Sequence, residues 1–255
     1  MAVNIDSKTP NHPLFSIKVL AFLLIASVFA TVATILYGLI IAHQTVSWPK
    51  VLLIAVVLTV IVTTPLAALG LWSRGRQDLE VSSFGKLLIP DSWLITLLLA
   101  LTLGSFCGTF VVLSDQAFYP FLPSAIKDIE LPGSIPGLLA ALGAGINEEI
   151  WFRLGTLTGL MELGRWLIKA SQPSKALFWS ANIISSLLFG AAHLPQFAFM
   201  ASGLRLAVVG VVLLQNGVVG LIFGWLYWRT GLLAAILAHI TADIVIHVIM
   251  PKFFS

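Results

Sequence analysis

Charge is what this chain has least of. Of its 255 residues only 10% are Asp, Glu, Lys or Arg, against 58% hydrophobic, and the mean hydropathy is +1.00. A soluble domain carries roughly a quarter charged residues, so the shortage excludes that class and leaves an integral membrane protein. No polar stretch is long enough to form a separate soluble domain. Nor is there a basic run: the formal net charge of +3 is spread over the loops, which excludes nucleic acid as a partner. Cysteine is reduced to Cys107, which cannot form an intramolecular disulfide and reads as a small core hydrophobe in an apolar run. The first apolar run is too long for a cleaved leader and ends without a small-residue cleavage site, so it reads as a retained span.

Long hydrophobic runs are what the chain has in place of charge. A transmembrane helix needs about 20 mostly apolar residues. Runs of that length lie near Ile17–Ala42, Val51–Trp72, Trp93–Leu113, Pro136–Leu160, Phe178–Met200, Leu206–Trp228 and Leu232–Met250. The expected fold is all-α, a polytopic transmembrane bundle of about seven spans. Apart from Pro136 at the head of a window, only Pro65 and Pro195 fall inside, and neighbouring helices absorb such kinks. The longest connection is Ser114–Ile135, with Pro120, Pro123 and Pro132, and it is expected on the membrane surface.

Positive charge assigns the sides. With the N-terminus inside, the inner segments hold Lys8, Lys18, Arg74, Arg76, Lys86, Arg165, Lys169, Lys175 and Arg229. The outer ones hold Lys50, Lys127, Arg205 and Lys252. Nine against four predicts a cytoplasmic N-terminus and, with seven spans, an external C-terminus. Trp48, Trp72, Trp93, Trp166 and Trp228 near the span ends match an interfacial aromatic belt.

Against this background the polar residues inside the spans stand out. Asn147-Glu148-Glu149-Ile150-Trp151-Phe152-Arg153 interrupts the fourth run, and two adjacent carboxylates there cost on the order of several kcal/mol unless offset. Glu149 and Arg153 are four apart and share a helix face, so they can pair. Glu148 is turned by about 100° and faces another neighbour. One carboxylate is then held by the arginine, and the other is free to exchange protons. A buried network that merely ties helices together remains the alternative for Glu149 and Arg153. His193 follows Gly190-Ala191-Ala192, small residues that let another helix approach closely. His239 and Asp243 form an i,i+4 pair in the last run, where Asp243 can accept from one imidazole nitrogen and fix its tautomer. His247 continues that face toward the membrane surface and reads as an interfacial residue. Gly220 and Gly224 are spaced for close contact, expected to pack the last two helices together.

The order Glu-Glu-x-x-x-Arg, Phe-x-x-x-His and His-x-x-x-Asp resembles the CPBP family. These are the CAAX prenyl proteases and bacteriocin-processing enzymes, also called the type II CAAX protease or Abi family. The resemblance rests on Glu148, Glu149 and Arg153, on Phe189 and His193, and on His239 and Asp243, with Gly220, Gly224 and Gly231 before the third motif. It covers about Pro136 to Met250. The chain therefore divides into N-terminal transmembrane helices and loops, 1–135, and a protease-like core, 136–250, with the active site in the C-terminal spans. The resemblance implies an intramembrane endopeptidase that acts on a membrane-associated or lipidated peptide or protein at the lipid bilayer. Compact length and the absence of a targeting segment fit a bacterial plasma membrane. It implies Glu148 as general base for a water, His193 as its orienting partner, His239 as oxyanion donor, and Glu149 and Arg153 in support. Asp243 stands where relatives commonly carry asparagine. As a carboxylate it cannot donate to an oxyanion, so it must be protonated, back up an imidazolium or ligate a metal. The cofactor is left open between none and a single divalent metal such as zinc, since two histidines with carboxylates are an acceptable set but no His-Glu-x-x-His helix is present. Two other functions compete. One is a non-enzymatic immunity or interaction protein. The other is a proton-coupled transporter, against which stands the absence of a paired repeat.

Overall fold

The computed structural model describes residues 13–76, 92–124, 133–200 and 205–250. All regular structure among them is helical. Helix α1 is Pro13–Ile41. Helices α2 (Trp48–Leu58) and α3 (Thr64–Arg76) are joined without a break by a π-helical segment, Thr59–Thr63. Helix α4 is Trp93–Phe118, closed by a 3₁₀ turn at Tyr119–Phe121. Helices α5 (Ser134–Glu148) and α6 (Thr158–Leu167) are joined by a second π-segment, Glu149–Leu157. Helices α7 (Lys175–Met200), α8 (Leu206–Thr230) and α9 (Leu232–Ile244) complete the bundle, and a third π-segment, Val245–Ile249, extends α9. In lipid every backbone group must be satisfied within its own helix, which is why apolar runs of this length leave no other choice. Lys8, Lys86, Lys127 and Lys252 of the charge pattern, and Pro132, lie outside the described residues.

Six helices are long and apolar enough to cross a membrane: Ile17–Ile41, Trp48–Arg76, Trp93–Phe121, Lys175–Ala198, Leu206–Thr230 and Leu232–Ile249. The remaining expected window, the fourth, falls on the continuous run from Ser134 to Leu167, which is not among them. Its polar residues dilute its apolar character, and they point inward: Asn147, Glu149, Arg153 and Glu162 are all buried. Packing nevertheless places this run across the full height of the bundle. Gly137 in its first turn abuts the His247 backbone at the end of the last helix. At its other end Arg76 of α3 bonds Glu162, while Tyr227 of α8 bonds Thr158 and Arg74. The large apolar side chains on the outside, Phe22, Leu53, Leu94 and Leu188 among them, are exposed as lipid-facing residues should be.

Two expectations are corrected. The third span does not end near Leu113: α4 continues through Phe118, and Ser114 and Asp115 are held at 2.6 Å by the Gln215 amide of α8, which keeps this polar turn helical. The Gly220 and Gly224 stripe does not pack α8 on α9. A side chain at Gly220 would collide with Ser186, and one at Gly224 with Asn182, so the stripe seats α8 against α7. The last helix is admitted instead by Gly104 and Gly108 of α4, which face Ala238 and Ala242. Gly231, at φ 99°, makes the turn between α8 and α9 that other residues rarely adopt.

Candidate active site

The polar heptapeptide lies where α5 passes into the long π-segment. Such segments widen the helix and recur at functional sites. Here threonine hydroxyls help fill the backbone irregularity: Thr156 donates to the Trp151 carbonyl at 2.9 Å and Thr158 to that of Arg153 at 3.1 Å, each five residues back. The same device closes the α2–α3 segment, where Thr64 donates to Thr59 at 3.0 Å.

Glu149 is 0% exposed and is held from two sides. Arg153 Nε approaches its Oε2 at 3.1 Å, and His239 Nδ1 reaches its Oε1 at 2.8 Å. The arginine contact was expected from spacing; the histidine contact crosses from α9. This corrects the tautomer argument. A carboxylate can only accept, so His239 donates through Nδ1 to Glu149, and not to Asp243, whose Oδ2 stands 3.8 Å from Nε2. Arg153 is 1% exposed. Its ion pair is a charge contact without hydrogen-bond alignment, and Nη1 and Nη2 have no polar partner among the described residues. Aromatic faces surround it: the guanidinium lies 4.6 Å from the Phe189 centroid and 5.9 Å from that of Phe223. Phe189 also meets His193 and His239 edge-on, so one ring braces three polar residues.

Glu148 faces away from this pair. Its Oε2 is buried with no hydrogen-bond partner, 3.9 Å from His193 Nε2 and 3.8 Å from His239 Nε2. These gaps are too long for direct hydrogen bonds and suit one intervening water. His193 is oriented by its own helix: Nδ1 lies 2.8 Å from the Phe189 carbonyl, which must accept. Neutral His193 therefore turns a bare Nε2 toward Glu148. Two acceptors facing one gap call for a molecule that donates twice. The structure thus brings Glu148, Glu149, Arg153, His193, His239 and Asp243 together, and leaves His247 apart, its Nδ1 buried without a partner.

No three or more His, Cys, Asp or Glu side chains among the described residues are arranged to hold a metal ion. A tetrahedral zinc with ligands at about 2.0–2.1 Å would draw neighbouring donors to roughly 3.3 Å of one another, closer than the 3.8–3.9 Å found here. The residues do not fit a zinc site. Sequence reasoning overlooked Phe223 and a group of small hydroxyl residues on α1 and the α2–α3 run. The helical spacing of Ser27 with Thr31, and of Thr59 with Thr63, was the available signal.

Residues 132–245 match the family model described as type II CAAX prenyl endopeptidase Rce1-like. This part of the chain is similar to that family, over a little under half of its 255 residues. No curated protein and no solved structure matches the chain. The Rce1-like segment begins just before α5 and ends within the last π-segment, so it contains every residue of the cluster around Glu148. The family is one of proteases, and the six apolar helices are those of an integral membrane protein.

Proposed function

We propose that the protein is an intramembrane endopeptidase that hydrolyses a peptide bond with a water activated by Glu148. One observation carries the reading: a buried, unpartnered carboxylate oxygen stands across a water-sized gap from two imidazole nitrogens. In the proposed reaction a water donates one hydrogen to Glu148 Oε2 and the other to His193 Nε2, leaving a lone pair for the scissile carbonyl carbon. As the C–O bond forms, the proton passes to Glu148. Protonated His239, charge-balanced by Glu149, presents Nε2–H to the tetrahedral oxyanion. Glu148 then returns the proton to the leaving nitrogen as the C–N bond breaks, which yields a carboxylic acid and an amine. Phe189 and Arg153 hold the supporting side of the site dry and rigid, and Asp243 lines the oxyanion side.

The family description favours a prenylated CAAX protein or peptide as substrate, reached from the lipid bilayer. The loop charges favour an N-terminus in the cytoplasm. The direct test uses purified protein in vesicles with an internally quenched peptide that ends in a prenylated CAAX sequence, alongside the same peptide without the lipid. Cleavage that needs the lipid and disappears in Glu148→Gln is the expected result. If neither peptide is cut, peptides in membranes holding wild type or Glu148→Gln are compared for Glu148-dependent products. Equal activity or equal products from the two proteins would instead indicate a binding or scaffold role.

A further inference from the structure

Asn147 and Trp151 lie one turn apart on the side of the α5 run turned away from Arg153. Trp151 Nε1–H donates to Thr63 Oγ1 at 2.9 Å. Thr63 and Ser27 hydroxyls are 2.8 Å apart, and Ser27 Oγ donates to Asn147 Oδ1 at 2.7 Å. Because the Ser27 hydrogen is committed to Asn147, the Thr63 hydrogen must go to Ser27. The bonds therefore run in one direction, from Trp151 through Thr63 and Ser27 to Asn147, and return to the helix they left. Asn147 Nδ2 then donates to Thr31 of α1 at 3.0 Å. Ser27 and Thr63 are each 0% exposed. Gly143, a turn earlier, leaves no room for a side chain against Ala30 and Thr34, so α1 and α5 meet backbone to backbone.

This loop couples two parts of the chain. Ser27 and Thr31 sit on α1 and Thr63 on the first π-segment, all outside the segment that matches the protease family. Asn147 immediately precedes Glu148. Close packing at Gly143 holds the α5 run against α1. Apolar packing is less directional than hydrogen bonding, so polar contacts add most to the setting of the run's rotation about its own axis. Hydrogen bonds at two positions on one face fix it. With Asn147 and Trp151 bound to α1 and the α2–α3 run, Glu148 is aimed at His193 and Glu149 at His239.

We infer that Ser27 and Thr63 are positioning residues, whose hydrogen-bonded loop with Asn147 and Trp151 sets the rotation of the α5 run and so the aim of Glu148. The inference rests on the protease reading of the site. It assigns the N-terminal helices a part in the reaction beyond anchoring.

Thr63→Val is the cleanest probe, because it keeps volume and breaks the loop in its middle; Ser27→Ala breaks it beside Asn147. A misaimed base lowers kcat and leaves binding intact, so both should lose roughly tenfold or more in kcat on the quenched peptide with KM within about twofold. Thr59→Val removes only a 3.4 Å side contact to Ser27 and should keep wild-type kcat. Replacing tryptophan by 5-fluorotryptophan, with the Trp151 signal assigned through Trp151→Phe, reads the loop without activity. That ¹⁹F resonance should move in Thr63→Val and stay in Thr59→Val. Wild-type kcat in both loop variants, from an active wild type, overturns the inference alone. Equal kcat losses in Thr59→Val and Thr63→Val also overturn it, since they would indicate packing alone. A wild type that cuts no quenched peptide and gives no Glu148-dependent products in membranes sinks the reading of the site, and the inference with it.

Discussion

Glu149 and Glu162 are both buried carboxylates paired with arginine on one helical run, yet their surroundings differ. Glu162 accepts hydrogen bonds from Arg165 at 2.8 and 2.7 Å and from Arg76 at 3.0 Å. Arg76 is 54% exposed, so water reaches this rim. Glu149 and Arg153 are 0% and 1% exposed, their contact is poorly aligned, and two guanidinium nitrogens have only aromatic faces beside them. A pair selected for stability would resemble the first, because desolvation of two ions is offset only when the remaining donors and acceptors are filled. The second makes sense as support for His239 and Glu148, where a fixed charge in a dry site is useful although it costs stability.

The sharpest way to break this comparison is at Glu148, which the rim cluster has no counterpart for. Glu148→Gln keeps the shape and removes the proposed base. Activity on the quenched peptide should fall by about a thousandfold, within the range that positioned proton transfer contributes, while thermal unfolding in detergent shifts little. Retained activity would leave the two glutamate clusters with the same structural meaning.

Arg153→Met comes next. It preserves a long side chain between Phe189 and Phe223 but leaves Glu149 with His239 alone. Breaking a buried pair from one side costs about 3–5 kcal/mol, so a large drop in unfolding temperature is expected. Adding Glu149→Gln should recover much of that stability without restoring activity, because His239 then loses its charged partner. A double variant that regains both would show that the pair does not serve the reaction.

The two clusters also differ in how far the sequence revealed them. Intramembrane charge is rare enough that Glu148, Glu149, Arg153, His193, His239 and Asp243 stood out, and i,i+4 spacing correctly joined Glu149 to Arg153. Spacing within one helix could not show that Glu149 reaches His239 on another, so Asp243 was given that contact. The π-segments were invisible because local composition does not separate them from α-helix. Gly220 and Gly224 were recognised as a contact stripe, but a small residue does not name its partner, and that partner is α7. Ser27, Thr31 and Thr63 passed unnoticed since hydroxyl side chains sit comfortably in apolar helices by bonding their own backbone. Their pairing with Asn147 is a tertiary fact.

Asp243→Asn tests a smaller effect inside the site. Glu149 already balances His239, and the 3.8 Å gap between Asp243 and Nε2 is no direct bond. An amide of the same shape can donate to an oxyanion without needing a proton. Activity should stay within about tenfold of wild type, read from kcat on the quenched peptide for both proteins at one neutral pH. Metal analysis of the same samples adds a second check. Stoichiometric zinc in the wild type, lost in the variant together with activity, would overturn the water-only site.

The smallest expected effect is at Glu162→Gln, and it completes the contrast. Hydrogen bonds from Arg165, then the charges of Arg165 and the bond from Arg76, hold the Glu162 carboxyl below its usual range against a smaller opposing effect of burial. A group whose pKa is lowered on folding adds stability above its unfolded pKa, about 4.3 for glutamate, and loses it as pH falls through the lower folded value. Wild type should therefore unfold slightly higher than Glu162→Gln near neutral pH, by about 2 °C or less for a rim cluster open to water and screened by salt. The difference should be constant from neutral pH down to about 5 and shrink at lower pH, as the carboxyl protonates first in the unfolded and then in the folded chain. Peptidase activity near neutral pH should be unchanged. A variant that loses activity at unchanged unfolding temperature would move Glu162 from the rim into the working machinery, and the distinction between the two carboxylates would no longer hold.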